Sequence, residues 1–408
     1  MKTSRTRSGV KRVCVAQPIL SHYSLPVFLE LAQHCEVDLF FSPAPEELGF
    51  GDVTLPDAPN LRYFPVRTLK VWGGRLGMFQ RGLLRHIFRH SPDALLLSAN
   101  LRDLSFWGAV LCGAFLGIPV HAHGHGPFKK KRVGLVYRGT MRTLLRLVTS
   151  YICYAPAVRQ SFIDYRFDHR KLAVAHNSVV NPFPVRPEEK PGNERGILFV
   201  GRLRPGSNLQ LLLRVVAKIR ENDRLPLSLH VIGAGEEATR LREEARDCPW
   251  VLLHGEVYDP KRIRDVSLDC FLGCYPGNAG LSVVHMMSLS LPVVTHNDLH
   301  AHGPEPSFIR DGASGVLYDH ADPDESLYQA VRSLARDPTR VALMRRKAFA
   351  DYQSLAHPSL AERLWAIIEG NENPRPAAVC EEVPTRRGPP FADTNRSRTS
   401  PETDIPRR

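Results

Sequence analysis

Two segments of the chain carry residue types suited to gripping an anion. In "ILFVGRLRPGSN" an apolar run ends at Val200, and Gly201 and Arg202 follow it directly. A guanidinium at the carboxyl end of a strand can hold a diphosphate through two parallel hydrogen bonds. The second segment, "CYPGNAGLSVVHMMSLSLPVV" from Cys274, reads as a turn, an amphipathic helix and a buried strand. A helix starting near Gly280 would aim the amides of Leu281, Ser282 and Val283 at a ligand, with roughly half a positive charge at its front. Gly277 and Gly280 would let the ligand approach the backbone closely. His285 sits one helical turn further in. Each segment has a plainer reading, a basic turn and a glycine turn. Position favours binding for the second, because open α/β sheets hold ligands beyond the carboxyl ends of their strands.

Two histidine-bearing loops add to these. "THNDLHAHGPEPSFIRDG" follows an apolar strand and holds His300, His302 and Glu305. Glu305 could take a ribose or sugar hydroxyl, or could cap the next helix. "IPVHAHGHGPFKKKR" holds His121, His123 and His125, and its glycines end the strand so that His125 points into a cleft. Neither set pairs its histidines with cysteine or carboxylate at a metal-binding spacing, so no metal is expected. The DxD at Asp322–Asp324 precedes a helical pattern and reads as a capping segment.

The elements that must position these loops alternate. "KRVCVAQP", "EVDLFFS", "DALLLSA", "IPVHAH", "YICYA" and "KLAVAHN" read as strands of a first half, separated by helices. "ILFVG", "LSLHVIG", "WVLLHG", "SLDCFLGC", "LPVV" and "GVLYD" do so in the second. Short apolar strands alternating with helices imply parallel sheets covered on both faces. The expected organisation is a basic arm at 1–12, a Rossmann-like domain at 13–184, a Pro- and Gly-rich linker at 185–195, a second Rossmann-like domain at 196–370, and a disordered tail at 371–408. That tail has seven prolines and thirteen charged residues.

Charge and cysteines bound the function. Residues 1–184 hold 24 Lys/Arg and 11 Asp/Glu, whereas the remainder holds 30 and 31. A basic first half favours an anionic partner. Arginines spaced by four, Arg81, Arg85, Arg89 and Arg138, Arg142, Arg146, would form stripes on two helices suited to an anionic membrane surface. Nucleic acid is not expected, since aromatic interleaving and a recognition helix are missing from the pattern. The eight cysteines form no CxxC pair and read as reduced thiols of a cytoplasmic protein. The uncharged run ending at His121 reads as a buried helix entering a strand, not as a membrane span. Serine-hydrolase and P-loop signatures are missing. "VIGAGEEA", with Glu256 downstream, imitates a dinucleotide fingerprint and keeps an oxidoreductase as a minor alternative.

Together "FVGRLRPGSNLQLLL", "YPGNAGLSVVHMMSLSLPVV" and "GHG" at 124–126 resemble the retaining glycosyltransferases of family 4, over most of residues 10–370. The resemblance implies the GT-B fold, two Rossmann-like domains facing across a cleft. It implies a nucleotide diphosphate sugar as donor and a glycan or lipid-linked glycan as acceptor, in bacterial surface or exopolysaccharide synthesis. No cofactor or metal is implied. Donor contacts would come from Arg202, Gly277, Gly280, Leu281, Ser282, His285 and Glu305, and His125 would be the catalytic-site histidine. Location on the inner face of the cytoplasmic membrane would follow. Two departures stand out. The family's lysine after the Arg202 position is replaced by Ser207 and Asn208, and its two glutamates by Gly277 and His285. An imidazole at His285 could bond a ribose hydroxyl, and Glu305 could supply the missing carboxylate. A catalytically silent relative is the alternative.

Overall fold

The computed structural model describes residues 10–43, 53–71 and 77–371. The expected N-terminal arm, apart from its last residues, and the tail beyond Asn371 lie outside them. The first half holds β1 (Arg12–Ile19), β2 (Glu36–Ser42), β3 (Leu61–Pro65), β4 (Thr68–Val71), β5 (Gly77–Gln80), β6 (Ala94–Ser98), β7 (Val120–Gly124), β8 (Ser150–Cys153) and β9 (Leu172–Val174). Its helices are α1 (Leu25–Leu31), α2 (Leu83–His90), α3 (Leu104–Leu116), α4 (Leu135–Leu147) and α5 (Pro156–Asp164). The second half holds β10 (Gly196–Val200), β11 (Ser228–Ile232), β12 (Val251–Gly255), β13 (Cys270–Cys274), β14 (Val293–His296) and β15 (Gly315–Tyr318). Its helices are α6 (Leu209–Asn222), α7 (Ala238–Glu244), α8 (Pro260–Leu268), α9 (Ser282–Ser288), α10 (Pro323–Ala335), α11 (Pro338–Ala356) and α12 (Leu360–Ile368).

Two parallel sheets result, ordered β3-β2-β1-β6-β7-β8-β9 and β12-β11-β10-β13-β14-β15. Strands such as β10 and β13 are buried along their whole length, as uninterrupted apolar sequence requires of a sheet covered on both faces. In each sheet the order reverses once, between β1 and β6 and between β10 and β13. The loops after β10 and β13 therefore flank the crevice where an open sheet binds its ligand. They are the two segments singled out by residue type.

The sequence pattern contains no signal for β3, whose "LRYFP" mixes charge and proline into the run; an edge position tolerates both. The antiparallel hairpin of β4 and β5 is likewise unsignalled. The expected linker is firmly docked. Val185 donates its amide to the Ser288 carbonyl at 3.0 Å, Lys190 Nζ donates to the Cys270 carbonyl at 3.1 Å, and Arg345 pairs with buried Glu194 at 2.9 Å. Its charges thus find buried partners, so proline and glycine mark bends and not slack.

Helix α12 leaves the second domain and packs Leu360, Ala361, Leu364 and Ile367 into the first domain's core with Leu31, Val37 and Leu39. Ser359 Oγ donates to Glu30 at 2.7 Å, and Lys11 pairs with Glu369 at 2.6 Å. An apolar face on α12 is buried only by crossing back. Helix α3 departs from the buried reading as well, because Phe115 is 83% exposed and Leu111 55%. Among the described residues no helix is long and apolar enough to cross a membrane.

Candidate active site between the two domains

The turn after β13 is fixed from both sides. Asn278 donates its amide to the Gly206 carbonyl at 2.7 Å, Ala279 donates to His302 Nδ1 at 2.9 Å, and Gly303 donates to the Ala279 carbonyl at 2.8 Å. Gly277 serves the first contact. A Cβ there would stand 2.2 Å from the Gly206 carbonyl oxygen, so its missing side chain admits a neighbouring loop. Gly280 meets only a Glu305 carboxylate oxygen, 3.8 Å from where its Cβ would be. Gly201 lies against the start of α9, with a would-be Cβ 3.1 Å from Ser282 Oγ. Arg202 thus leaves β10 beside the first turn of that helix.

Helix α9 is shorter than its pattern implies. It begins at Ser282, and the Val283 amide is already used by the Gly280 carbonyl at 3.0 Å. Of the three amides expected to face a ligand, those of Leu281 and Ser282 remain at the front of the helix, where no helical carbonyl precedes them. His285 sits midway along this helix and is half-buried. Burial, with a smaller contribution from His22, pushes its imidazole down to about 4. His22 sits in the loop after β1, at the first sheet's own reversal, and its ring meets Tyr258 at 4.6 Å.

Glu305 opens a short 3-10 turn but reaches inward. Its side chain is buried; Oε1 accepts from Asn177 Nδ2 of the first domain, and among the described residues Oε2 has no partner. Burial raises its pKa, while a hydrogen bond from its own backbone, then Asn177 and Lys129, oppose that shift. His125 stands across the cleft, its ring edge-on to Tyr154 at 4.6 Å, with Nδ1 buried and unpartnered. Burial first, then Lys129, lowers it to about 4. A neutral imidazole there can donate or accept one hydrogen bond but is a weak base.

The other histidines hold structure. His302 links the Ala279 amide to the His296 carbonyl, at 2.9 Å on each side. His300 Nδ1 bonds the Phe128 carbonyl at 2.8 Å across the domains. Among the described residues no group of three or more histidine, cysteine or acidic side chains is placed to hold a metal ion. Asp322 is the N-cap residue of α10 without a side-chain cap bond, and Asp324 is taken by Arg214 at 3.0 Å. The glycines of the dinucleotide-like motif have a packing role. A Cβ at Gly233 would stand 1.9 Å from the Gly201 carbonyl oxygen, and one at Gly235 2.3 Å from that of Leu203.

Several residues at this site carry no signal that sequence reasoning used. Arg204 lies two places beyond Arg202 in the same loop, donates to the Asn278 carbonyl at 3.3 Å, and keeps a buried Nε unpartnered. Asn177, Tyr154 and Tyr275 are single polar residues at strand ends, a pattern too common to read.

Comparison with known proteins gives the family and the fold. The family described as "Glycosyl transferases group 1" matches residues 194–337, and "Glycosyltransferase Family 4" matches residues 29–180. The chain belongs to the group 1 glycosyltransferases and has the GT-B architecture. The fold is shared with HepE of Anabaena, whose structure holds UDP-glucose (14% identity, TM-score 0.60, covering 88% of this chain and 100% of that one). It is also shared with the pneumococcal O-GlcNAc transferase GtfA in complex with UDP and GlcNAc (10% identity, TM-score 0.63, 88% and 99%). A glycosyltransferase from Rickettsia africae aligns at 11% identity and TM-score 0.64, over 88% and 98%. No curated protein matches the chain in sequence.

The buried histidines set an acid limit. Burial holds His121, His125, His176, His285 and His302 at about 4, and His123 and His296 at about 3. In the unfolded chain each takes up a proton below roughly pH 6.5. The unfolded state then binds more protons, so stability is complete above that pH and falls as pH drops toward 4. Thermal melts should show Tm falling steeply from pH 6.5 to 4.5; a flat Tm would contradict these assignments.

Proposed function

We propose that the protein transfers a sugar from a nucleoside diphosphate sugar to a glycan or lipid-linked glycan acceptor with retained anomeric configuration, in bacterial surface or exopolysaccharide synthesis. One observation carries this reading most strongly: a buried carboxylate oxygen on Glu305 lacks a partner beside the open backbone of Gly280, in the interdomain crevice. A buried acceptor without a donor costs about 1–3 kcal/mol, which a sugar hydroxyl would recover. HepE and GtfA, with the same fold, hold a uridine nucleotide and a sugar.

In the reaction, the bond from the anomeric carbon to the donor phosphate breaks, and a bond from that carbon to the acceptor oxygen forms on the same face. The acceptor proton passes to the departing phosphate oxygen. Arg202 and the amides of Leu281 and Ser282 stabilise the charge that grows on the diphosphate, so no metal is needed. His125, neutral at pH 7, orients sugar or acceptor, and His285 bonds the ribose. Replacement of the family lysine and glutamates favours a second reading, a catalytically silent partner protein.

Arg202→Ala should lower kcat/KM for donor turnover roughly 10²- to 10³-fold, the usual effect of losing one donor to a developing anion. Glu305→Gln should raise KM for the sugar. Unchanged turnover in Arg202→Ala, or an inverted product by NMR, would contradict the mechanism. Donor binding without hydrolysis or transfer would favour the silent partner.

We also propose peripheral docking on an anionic membrane. Leu135 and Val136, 87% and 85% exposed, project from the start of α4 beside exposed Arg132, and Arg142 and Arg146 follow along the helix. Arg138, expected in that stripe, instead donates to the Tyr165 carbonyl at 2.9 Å. Sedimentation with phosphatidylserine vesicles should show binding that weakens with salt and is lost in Leu135→Asp/Val136→Asp. Equal recovery with neutral vesicles would overturn it.

A further inference from the structure

The missing family lysine leaves a question of charge. A donor diphosphate brings two or more negative charges into a crevice that also contains Glu305. Arg202 and Arg204 are supplied by the loop after β10, and Arg204 is partly committed to the Asn278 carbonyl.

The first domain brings a third cation. Its loop after β7 is clamped to the second domain on both sides of one residue. The Phe128 carbonyl accepts from His300 Nδ1 at 2.8 Å, and Lys131 Nζ pairs with Asp298 at 3.2 Å. Lys129 lies between these two ties. Its ammonium interacts with Glu305 and with Arg204, one attractive and one repulsive, and it bears on His125. The two ties hold its backbone against the second domain at the crevice, and its side chain remains open to solvent. Its neighbour Lys130 turns elsewhere, over the Tyr137 ring at 5.4 Å.

We propose that Lys129 binds the donor's diphosphate from the opposite domain, taking the part that Ser207 and Asn208 cannot play. The inference rests on the nucleotide-sugar reading above. A second arginine and a lysine clustered around one carboxylate leave a net positive charge that an anion neutralises. The lysine's position depends on the interdomain clamp, so the phosphate site is complete only when the domains are together. Diphosphate binding in turn favours the closed arrangement.

The test is calorimetric titration with uridine, guanosine and adenosine diphosphates, and with the monophosphate of whichever base binds most tightly. Wild-type protein should bind at least one diphosphate. Lys129→Ala should weaken that diphosphate roughly 10- to 100-fold, the effect of losing one charge-assisted hydrogen bond. It should weaken the monophosphate much less. Lys129→Arg should restore most of the affinity, and Lys130→Ala should match wild type. Asp298→Ala, which frees Lys131, should also weaken the diphosphate, by a smaller factor. Undiminished binding in Lys129→Ala, or an equal loss in Lys130→Ala, overturns the inference alone. Failure of the wild type to bind any of the three diphosphates overturns the donor reading and the inference with it.

Discussion

The site depends on how the turn after β13 is held. Asn278 bonds the loop after β10, and Ala279 and Gly303 tie the same turn to the loop after β14. Three loops from three neighbouring strands become one rigid cradle. Their backbones approach so closely that a side chain at Gly277 would collide with the Gly206 carbonyl oxygen, and the loop after β11 packs as tightly on the β10 loop at Gly233 and Gly235. Backbone groups buried in this way must be paired, and here they are paired with each other. The front of α9 and the backbone near Gly280 border that cradle, and Arg202 follows Gly201 beside them.

Electrostatics follows from that geometry. The crevice side chains are withdrawn from water, so histidines there stay neutral and Glu305 resists ionisation. Positive charge comes from the guanidiniums of the β10 loop, Arg202 and Arg204. Across the gap, the first domain contributes Asn177, His125 and the loop from Phe128 to Lys131. Neither domain has the complete set. Helix α12, by returning to the first domain's core, ties the two halves at the end opposite these contacts.

Much of this was legible in the sequence. Alternating apolar runs define two parallel sheets, and the strand-end rule points to the loops after β10 and β13 without knowledge of their packing. Residue type and position alone point to Arg202 and the 276–282 turn. What escaped was long-range. Gly277 looks the same whether it admits a ligand or the Gly206 carbonyl, and only the fold decides between them. His302 looks like a ligand until its two nitrogens are seen bonding the Ala279 amide and the His296 carbonyl. Asn177 is 128 residues from Glu305 in sequence, and nothing local marks their pairing. The crossing of α12 and the docking of the 185–195 segment are hidden for the same reason. Amphipathic and charged patterns tell that a partner exists, not where it is.

The central claim is that the guanidinium of Arg202 and the amides fronting α9 hold a pyrophosphate group in the interdomain crevice. A crystal structure of the complex with the nucleoside diphosphate that most raises Tm tests it directly. The account predicts the two phosphates between Arg202 and the Leu281–Ser282 backbone, with the ribose toward His285. Phosphates bound elsewhere, with Arg202 turned away from them, would contradict it.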